Sequence, residues 1–319
     1  MRIDPQLLAL RGNASPQRDA QDRVFAARER WRTEQADILG ELAAFADGLR
    51  LEECPALSDV IRDHAAAIAF VGELLDPMLA ALRAEPLGQV PLRQFSGNGV
   101  SSLLVAREGR AMLLLSAREE GSETRRAVSF SDGERHELVL AGQAEAQLVR
   151  LVDAGPRQAE FETSDVVMLA RSSLSLDQSR EALMIGQVAQ RLVTLRLVRA
   201  AEVPQPTREY RLSDGAFIHQ ASGDVRESRH ELMLALLGRM GRKDAASVMA
   251  DMAGAEDRGA SEHIRWQALR ECLALDTAAG FRSLSSIARD SSDPLAGAAG
   301  ALRAQLVEAH PVLAQLETA

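Results

Sequence analysis

The chain has 319 residues, 46% of them hydrophobic and 26% charged, and a formal net charge of −9. That length is ample for one large core or two domains, and aromatic residues at 3% leave Leu, Val, Ile, Met and Ala to fill it. The acidic balance repels nucleic-acid backbones and anionic membrane surfaces, so neither is expected as a partner.

The N-terminus, Met1-Arg2-Ile3-Asp4-Pro5, carries no long apolar segment, and no apolar run nears bilayer-spanning length, so a cytoplasmic location is expected. Residues 1–15 form a short lead-in. From Gln17 to Leu49 the spacing predicts one helix, with Val24, Phe25, Ala27, Trp31, Ile38, Leu39, Leu42 and Phe45 on its apolar stripe. Pro55 starts a second helical pattern that runs through Leu57, Ile61, Ile68, Leu74 and Met78 to Leu82. Pro77 predicts a kink or break near Asp76. Pro86, Gly88 and Pro91 end the helical region. Two wide apolar faces need burial, against the segment that follows or against a second copy of the chain, which makes a homodimer a candidate.

Between Pro91 and His219 the period changes to two. Short apolar runs are broken by Glu108-Gly109, Asp132-Gly133, Ala141-Gly142, Asp153-Ala154-Gly155-Pro156, Ser164-Asp165 and Ser213-Asp214-Gly215. The strands predicted include Ser102–Arg107, Ala111–Ala117, Ala127–Phe130, His136–Leu140, Ala144–Leu151, Val166–Ala170, Ala182–Ile185, Leu192–Val198 and Glu209–Leu212. Many short strands with no helix between them predict an antiparallel sandwich or barrel. After residue 222 the helical period returns, over Glu227–Met240, Lys243–Met252, Ser261–Leu275, Ala278–Ala288 and Pro294–His310. Ser261 suits a helix N-cap, and Asp293-Pro294 reads as an N-cap followed by proline at the first helical position.

The segment Phe161-Glu162-Thr163-Ser164-Asp165-Val166-Val167-Met168-Leu169 resembles the strand–turn–strand of cupins, and the strand count suits their jelly-roll barrel. The stretch from Arg265-Trp266 through Phe281, Leu284 and Ile287 to Asp293-Pro294-Leu295 is similar to a HEAT-type helical hairpin. The fold class expected is therefore α+β: an N-terminal helical region (1–88), a central cupin-like antiparallel β-barrel or sandwich (89–222) and a C-terminal helical bundle (223–319).

The cupin resemblance implies a search for a metal. Metal-binding cupins carry His-x-His and a following Glu on one strand, with a later His on another; this chain has no His-x-His. Adjacent strand residues face opposite sides, so His136 and Glu137 cannot hold one ion. His136, His219 and Glu134, which shares the face of His136, are the candidate ligands for iron or another divalent metal. No Gly-x-Ser-x-Gly elbow stands near the serine-rich stretches, and Gly97-Asn98-Gly99 lacks the lysine of a phosphate loop. Cys54 and Cys272 fit no metal or redox spacing.

Arg196 shares a strand face with Thr194 and Val198, opposite Leu195 and Leu197. If that face is interior, its guanidinium requires an anionic ligand or a carboxylate. Arg196 and Tyr210, the only tyrosine, are the candidate ligand-binding residues. Trp266, Arg270 and Glu262 share one helix face, which is either an anchor patch or core. Three functions fit. The first is a non-catalytic module without cofactor that binds a partner protein or peptide. The second is a metal-dependent cupin-type enzyme, an oxygenase for instance. The third is a barrel that senses a small anionic molecule.

Overall fold

The computed structural model describes residues 15–84, 88–97, 99–155, 157–254 and 261–317. Residues 1–14 of the lead-in, with Pro86, Asn98 and Pro156 of the sequence reading, lie outside the described residues. The chain divides into two compact units, Met1–Gln220 and Ala221–Ala319.

The first unit opens with helices α1 (Ser15–Glu34), α2 (Ala36–Asp47), α3 (Pro55–Arg62) and α4 (His64–Ala84). The single helix expected over 17–49 is interrupted at Gln35. The second helical pattern breaks at Asp63, not near Pro77. Asp63 is extended, and its carboxylate accepts a hydrogen bond from the Ala66 amide at 2.8 Å, which caps α4. Helix α4 runs on through Pro77; buried Leu74 and Met78 on either side of the proline hold it against the core. By length and composition α4 could cross a bilayer, contrary to the sequence reading. Here its Ala67, Phe70, Val71, Leu74 and Met78 are core residues.

Eleven strands follow among the described residues: β1 (Arg93–Gly97), β2 (Val100–Glu108), β3 (Ala111–Arg118), β4 (Gly121–Ser122), β5 (Ala127–Phe130), β6 (Gly133–Ala154), β7 (Ala159–Leu169), β8 (Ser173–Asp177), β9 (Glu181–Ala200), β10 (Thr207–Arg211) and β11 (Phe217–Ala221). The main antiparallel sheet has the order β1-β2-β3-β9-β6-β7, with β4 added to β9 and β8 to β6. Strands β11-β10-β5 form a separate sheet. The main sheet is not closed: β1 and β7 stand at its two ends.

Strands β6 and β9 are far longer than expected: β6 joins the predicted His136–Leu140 and Ala144–Leu151, and β9 joins Ala182–Ile185 and Leu192–Val198. At Ala141-Gly142 the β6–β9 register shifts instead of reversing. Gly142 has φ +88°, and a Cβ there would lie 2.1 Å from the Arg191 carbonyl oxygen, so the site is a glycine bulge. The segment Phe161–Leu169, expected to turn at Ser164-Asp165, is one uninterrupted edge strand whose Ser164 and Asp165 oppose Leu148 and Gln147 of β6.

Strand periodicity gives the main sheet two different faces. Leu113, Leu138, Leu140, Leu195 and Leu197 pack on Trp31, Leu42, Phe45, Leu57 and Leu74 of the helices. This core runs across residue 88, so helices and sheet share one unit, and the wide helical faces are covered by the sheet. The opposite face carries Ser116, Arg135, Glu137, Thr194 and Arg196, with Ser116, Glu137 and Thr194 buried.

The second unit contains α5 (Val225–Arg239), α6 (Ala246–Ala253), α7 (Glu262–Leu275), α8 (Thr277–Arg289) and α9 (Ala296–Ala309) around Leu234, Met249, Ile264, Leu269, Phe281 and Leu284. Ser261 caps α7 as expected. Helix α9 begins at Ala296, two residues after Pro294, and Asp293 Oδ1 accepts from the Leu295 amide at 2.9 Å just ahead of it. The same carboxylate is engaged by the buried guanidinium of Arg265, at 3.1 Å for Nη1–Oδ1, with Nη2 on Oδ2. Arg265 Nε also donates to the Ala253 carbonyl at 3.1 Å. Trp266 packs partly buried on this core, while Glu262 and Arg270 are exposed, so the three form no joint patch.

Candidate functional site

Two places carry chemistry that core packing does not account for. The first is the polar face of the main sheet. Glu137 of β6 stands opposite Arg196 of β9 in the ladder and is 2% exposed. Its Oε1 accepts from Arg196 Nη2 at 3.0 Å, and its Oε2 accepts from Arg135. Burial alone would raise the Glu137 pKa; the two guanidiniums and the Thr194 hydroxyl overcome it and hold the carboxyl at about 2. Arg118 of β3 donates to Glu123 at 3.0 Å, and Arg125 shares that carboxylate at 3.2 Å. Burial lowers the pKa values of Arg118 and Arg135, and repulsion adds to it: Arg118 by Arg125 and Arg196, Arg135 by Arg196 and Arg118. Two carboxylates thus each hold two arginines, Glu123 holding Arg118 and Arg125 and Glu137 holding Arg135 and Arg196. Arg135 also lines a cavity of about 480 Å³ with Arg125, Arg126, Ser129, Gln178 and Glu209.

The candidate metal ligands lie elsewhere. Glu134 and His136 do share a face, at 3.3 Å, but it is the face turned to the helices. His136 Nδ1 bonds the Ser175 hydroxyl at 2.8 Å, and its ring meets the edge of Phe45. Glu134 pairs with Arg199, which donates to the Phe45 and Leu49 carbonyls at 2.5 and 2.6 Å and stacks over the Phe45 ring at 4.1 Å. These groups clamp the C-terminal end of α2 to the sheet, where a cation suits the carbonyl end of the helix. His219 is exposed on β11 in the other sheet. Among the described residues no three His, Cys, Asp or Glu side chains gather as a metal centre. The donor set drawn from the sequence is thus split between two sheets, and the residues do not fit the metal that the cupin resemblance implies.

Of the two candidate ligand-binding residues, Arg196 is in the polar cluster and Tyr210 is not. Tyr210 is 1% exposed and packs among Phe130, Phe161 and Phe217, an aromatic core under β5 and β10. Cys54 and Cys272 are buried free thiols, both pushed up in pKa chiefly by that burial.

The second place is α5 in the helical unit. Leu234 and Leu237 face the core, and Gly238 lets α5 close on α7, where an added Cβ would meet the Glu271 carboxylate. On the other side Leu232, Met233, Leu236 and Met240 are 57–72% exposed, and Val248 of α6 is 58% exposed. Positions 232, 236 and 240 recur every four residues, so they line one stripe. Arg226, Arg229, Arg239 and Lys243 lie exposed around it. Of the acids nearby, Asp244 pairs with Arg242, Glu231 meets His263 at 3.4 Å and Glu227 accepts from the Ser222 hydroxyl. Sequence reasoning missed this stripe, although a helix apolar on all sides was visible in Leu232-Met233-Leu234-Ala235-Leu236-Leu237.

No family model and no curated protein matches the chain. Solved structures do match part of it. A cupin superfamily protein from Desulfitobacterium hafniense is 16% identical, with a TM-score of 0.25 over 34% of this chain and 84% of that one. The Drosophila melanogaster CENP-C cupin domain is 12% identical (TM-score 0.28, 35% of this chain and 77% of that one), and hazelnut vicilin is 10% identical (TM-score 0.28, 37% and 32%). Likeness at this level says nothing of what the chain binds.

Proposed function

We propose that this protein is a non-catalytic interaction module whose helical unit binds a partner protein through α5, the partner contributing an acidic amphipathic helix. The basic-rimmed apolar stripe of Leu232, Met233, Leu236 and Met240 carries this reading. Each exposed Leu or Met leaves a large apolar area in water that a partner would remove, at roughly 25 cal/mol per Å². A contiguous stripe of this kind on a helix is the usual footprint of helix recognition, with anchors spaced three or four residues apart. The rim selects the partner's charge: the chain carries −9 overall, yet Arg226, Arg229, Arg239 and Lys243 stand exposed around this stripe among the described residues.

The test uses the full chain and a designed peptide helix with leucines at i, i+4 and i+7 flanked by glutamates. Saturable binding that weakens with salt and is lost in the Leu232→Glu/Leu236→Glu variant supports the reading. Equal binding by wild type and variant, or equal binding of a polar peptide of the same charge, contradicts it.

A further inference from the structure

The arginine cluster on the sheet's polar face has an imbalance of charge that its own carboxylates do not cancel. Arg118, Arg125, Arg126, Arg135 and Arg196 stand in and beside the cavity, against Glu123, Glu137 and Glu209. Glu181 also lines the cavity but is taken by Arg150, at 2.9 and 3.2 Å. Five arginines therefore face three carboxylates, leaving two positive charges over. Arg125 and Arg126 are exposed, whereas Arg118, Arg135 and Arg196 are mostly withdrawn from water and share two carboxylates, Glu123 and Glu137, where a charge removed from water needs a partner. A second observation agrees: Nε of Arg135, which lines the cavity, is buried without a hydrogen-bond partner, as is Nε of Arg196, which stands off the cavity beside Glu137.

The geometry points to the cavity beside Arg135 as the binding site of a small organic dianion, a phosphate monoester or a dicarboxylate. Arg135 from the sheet, with Arg125 and Arg126 from the segment leading into β5, line the cavity from different elements, as bidentate recognition of an oxyanion requires. Gln178, Ser129 and Ser131 add neutral polar groups for the rest of the molecule, and Leu176 and Met184 add apolar wall. The volume of about 480 Å³ suits a metabolite-sized ligand. This site is in the first unit and does not depend on the α5 stripe.

Calorimetric titration of the full chain with glycerol 3-phosphate and with succinate, in low-salt buffer, tests it. One of the two is expected to bind saturably, and which one assigns the anionic group. Arg135→Gln is expected to weaken binding at least about tenfold. Because Arg135 is largely buried, the exposed Arg125→Gln/Arg126→Gln variant, checked for an unchanged melting temperature, carries the same expectation. Failure of both ligands to bind, or binding unchanged in the exposed double variant, overturns the proposal.

Discussion

Glu137 and Arg196 oppose each other across the β6–β9 ladder, joined at 3.0 Å on the buried polar face of the sheet. The carboxylate holds two guanidiniums at once, so it organises the cluster electrostatically. Glu137→Gln keeps the size and removes the charge, leaving Arg135 and Arg196 to repel. Chemical denaturation should show a loss of about 3 kcal/mol or more. A loss within about 0.5 kcal/mol would mean that the arginines are neutralised by something else.

The same residue sets an acid limit. Its folded-state pKa, about 2, lies below the ordinary 4.5. A depressed carboxylate stabilises fully above its unfolded pKa, and the contribution is lost as pH falls through the folded value. Stability of the first unit should therefore decline between about pH 4.5 and pH 2, and Glu137→Gln should flatten that part of the profile. Titration followed by circular dichroism reads this directly.

The helical unit has its own buried pair, Arg265 with Asp293. Asp293→Ala should cost about 3–5 kcal/mol, because it leaves a buried guanidinium without its carboxylate. Arg265→Lys should recover little, since an ammonium cannot reproduce the two-pronged contact and the Ala253 bond together. Hydrogen exchange should show the loss in α7 and α8, with the sheet protected as before.

Gly142→Ala tests the bulge in β6. The left-handed φ and the approach of the Arg191 carbonyl leave no room for a methyl group. A loss of more than about 2 kcal/mol is expected from thermal or urea unfolding. A neutral result would mean that the strand can slide to another register.

The α5 stripe separates binding from folding. Leu232→Glu and Leu236→Glu replace exposed side chains and should change stability by no more than about 0.5 kcal/mol. Leu234→Ala, on the buried side of the same helix, should cost about 2–4 kcal/mol.

Much of this architecture was legible from periodicity. The switch from period 3.6 to 2 near Arg93 and back near Val225 follows from which faces are buried, and Thr194 and Arg196 opposite Leu195 and Leu197 marked the two faces of β9. Local punctuation misled where tertiary pairing overrode it. Ala141-Gly142 reads as a turn, yet β9 pairs on through a bulge. Ser164-Asp165 reads as a turn, yet the β6 ladder holds it extended. Pro77 reads as a break, yet the helix is held by its buried neighbours. The candidate site was legible only in halves. Arg196 was identified, but Glu137 and Arg135 reach it from another strand, and no spacing in one dimension reports that. Glu134 and His136 were placed together correctly, but Arg199 and Ser175, which engage them, come from strands far along the chain.

The most direct test of the central claim is photocrosslinking from position 236 in the full chain inside its native cells. The account predicts crosslinks to a partner segment rich in Asp and Glu with leucine-type anchors at helical spacing, abolished by Arg229→Glu/Arg239→Glu. Crosslinks only to a second copy of the chain, or crosslinks indifferent to the reversal of those charges, would contradict it.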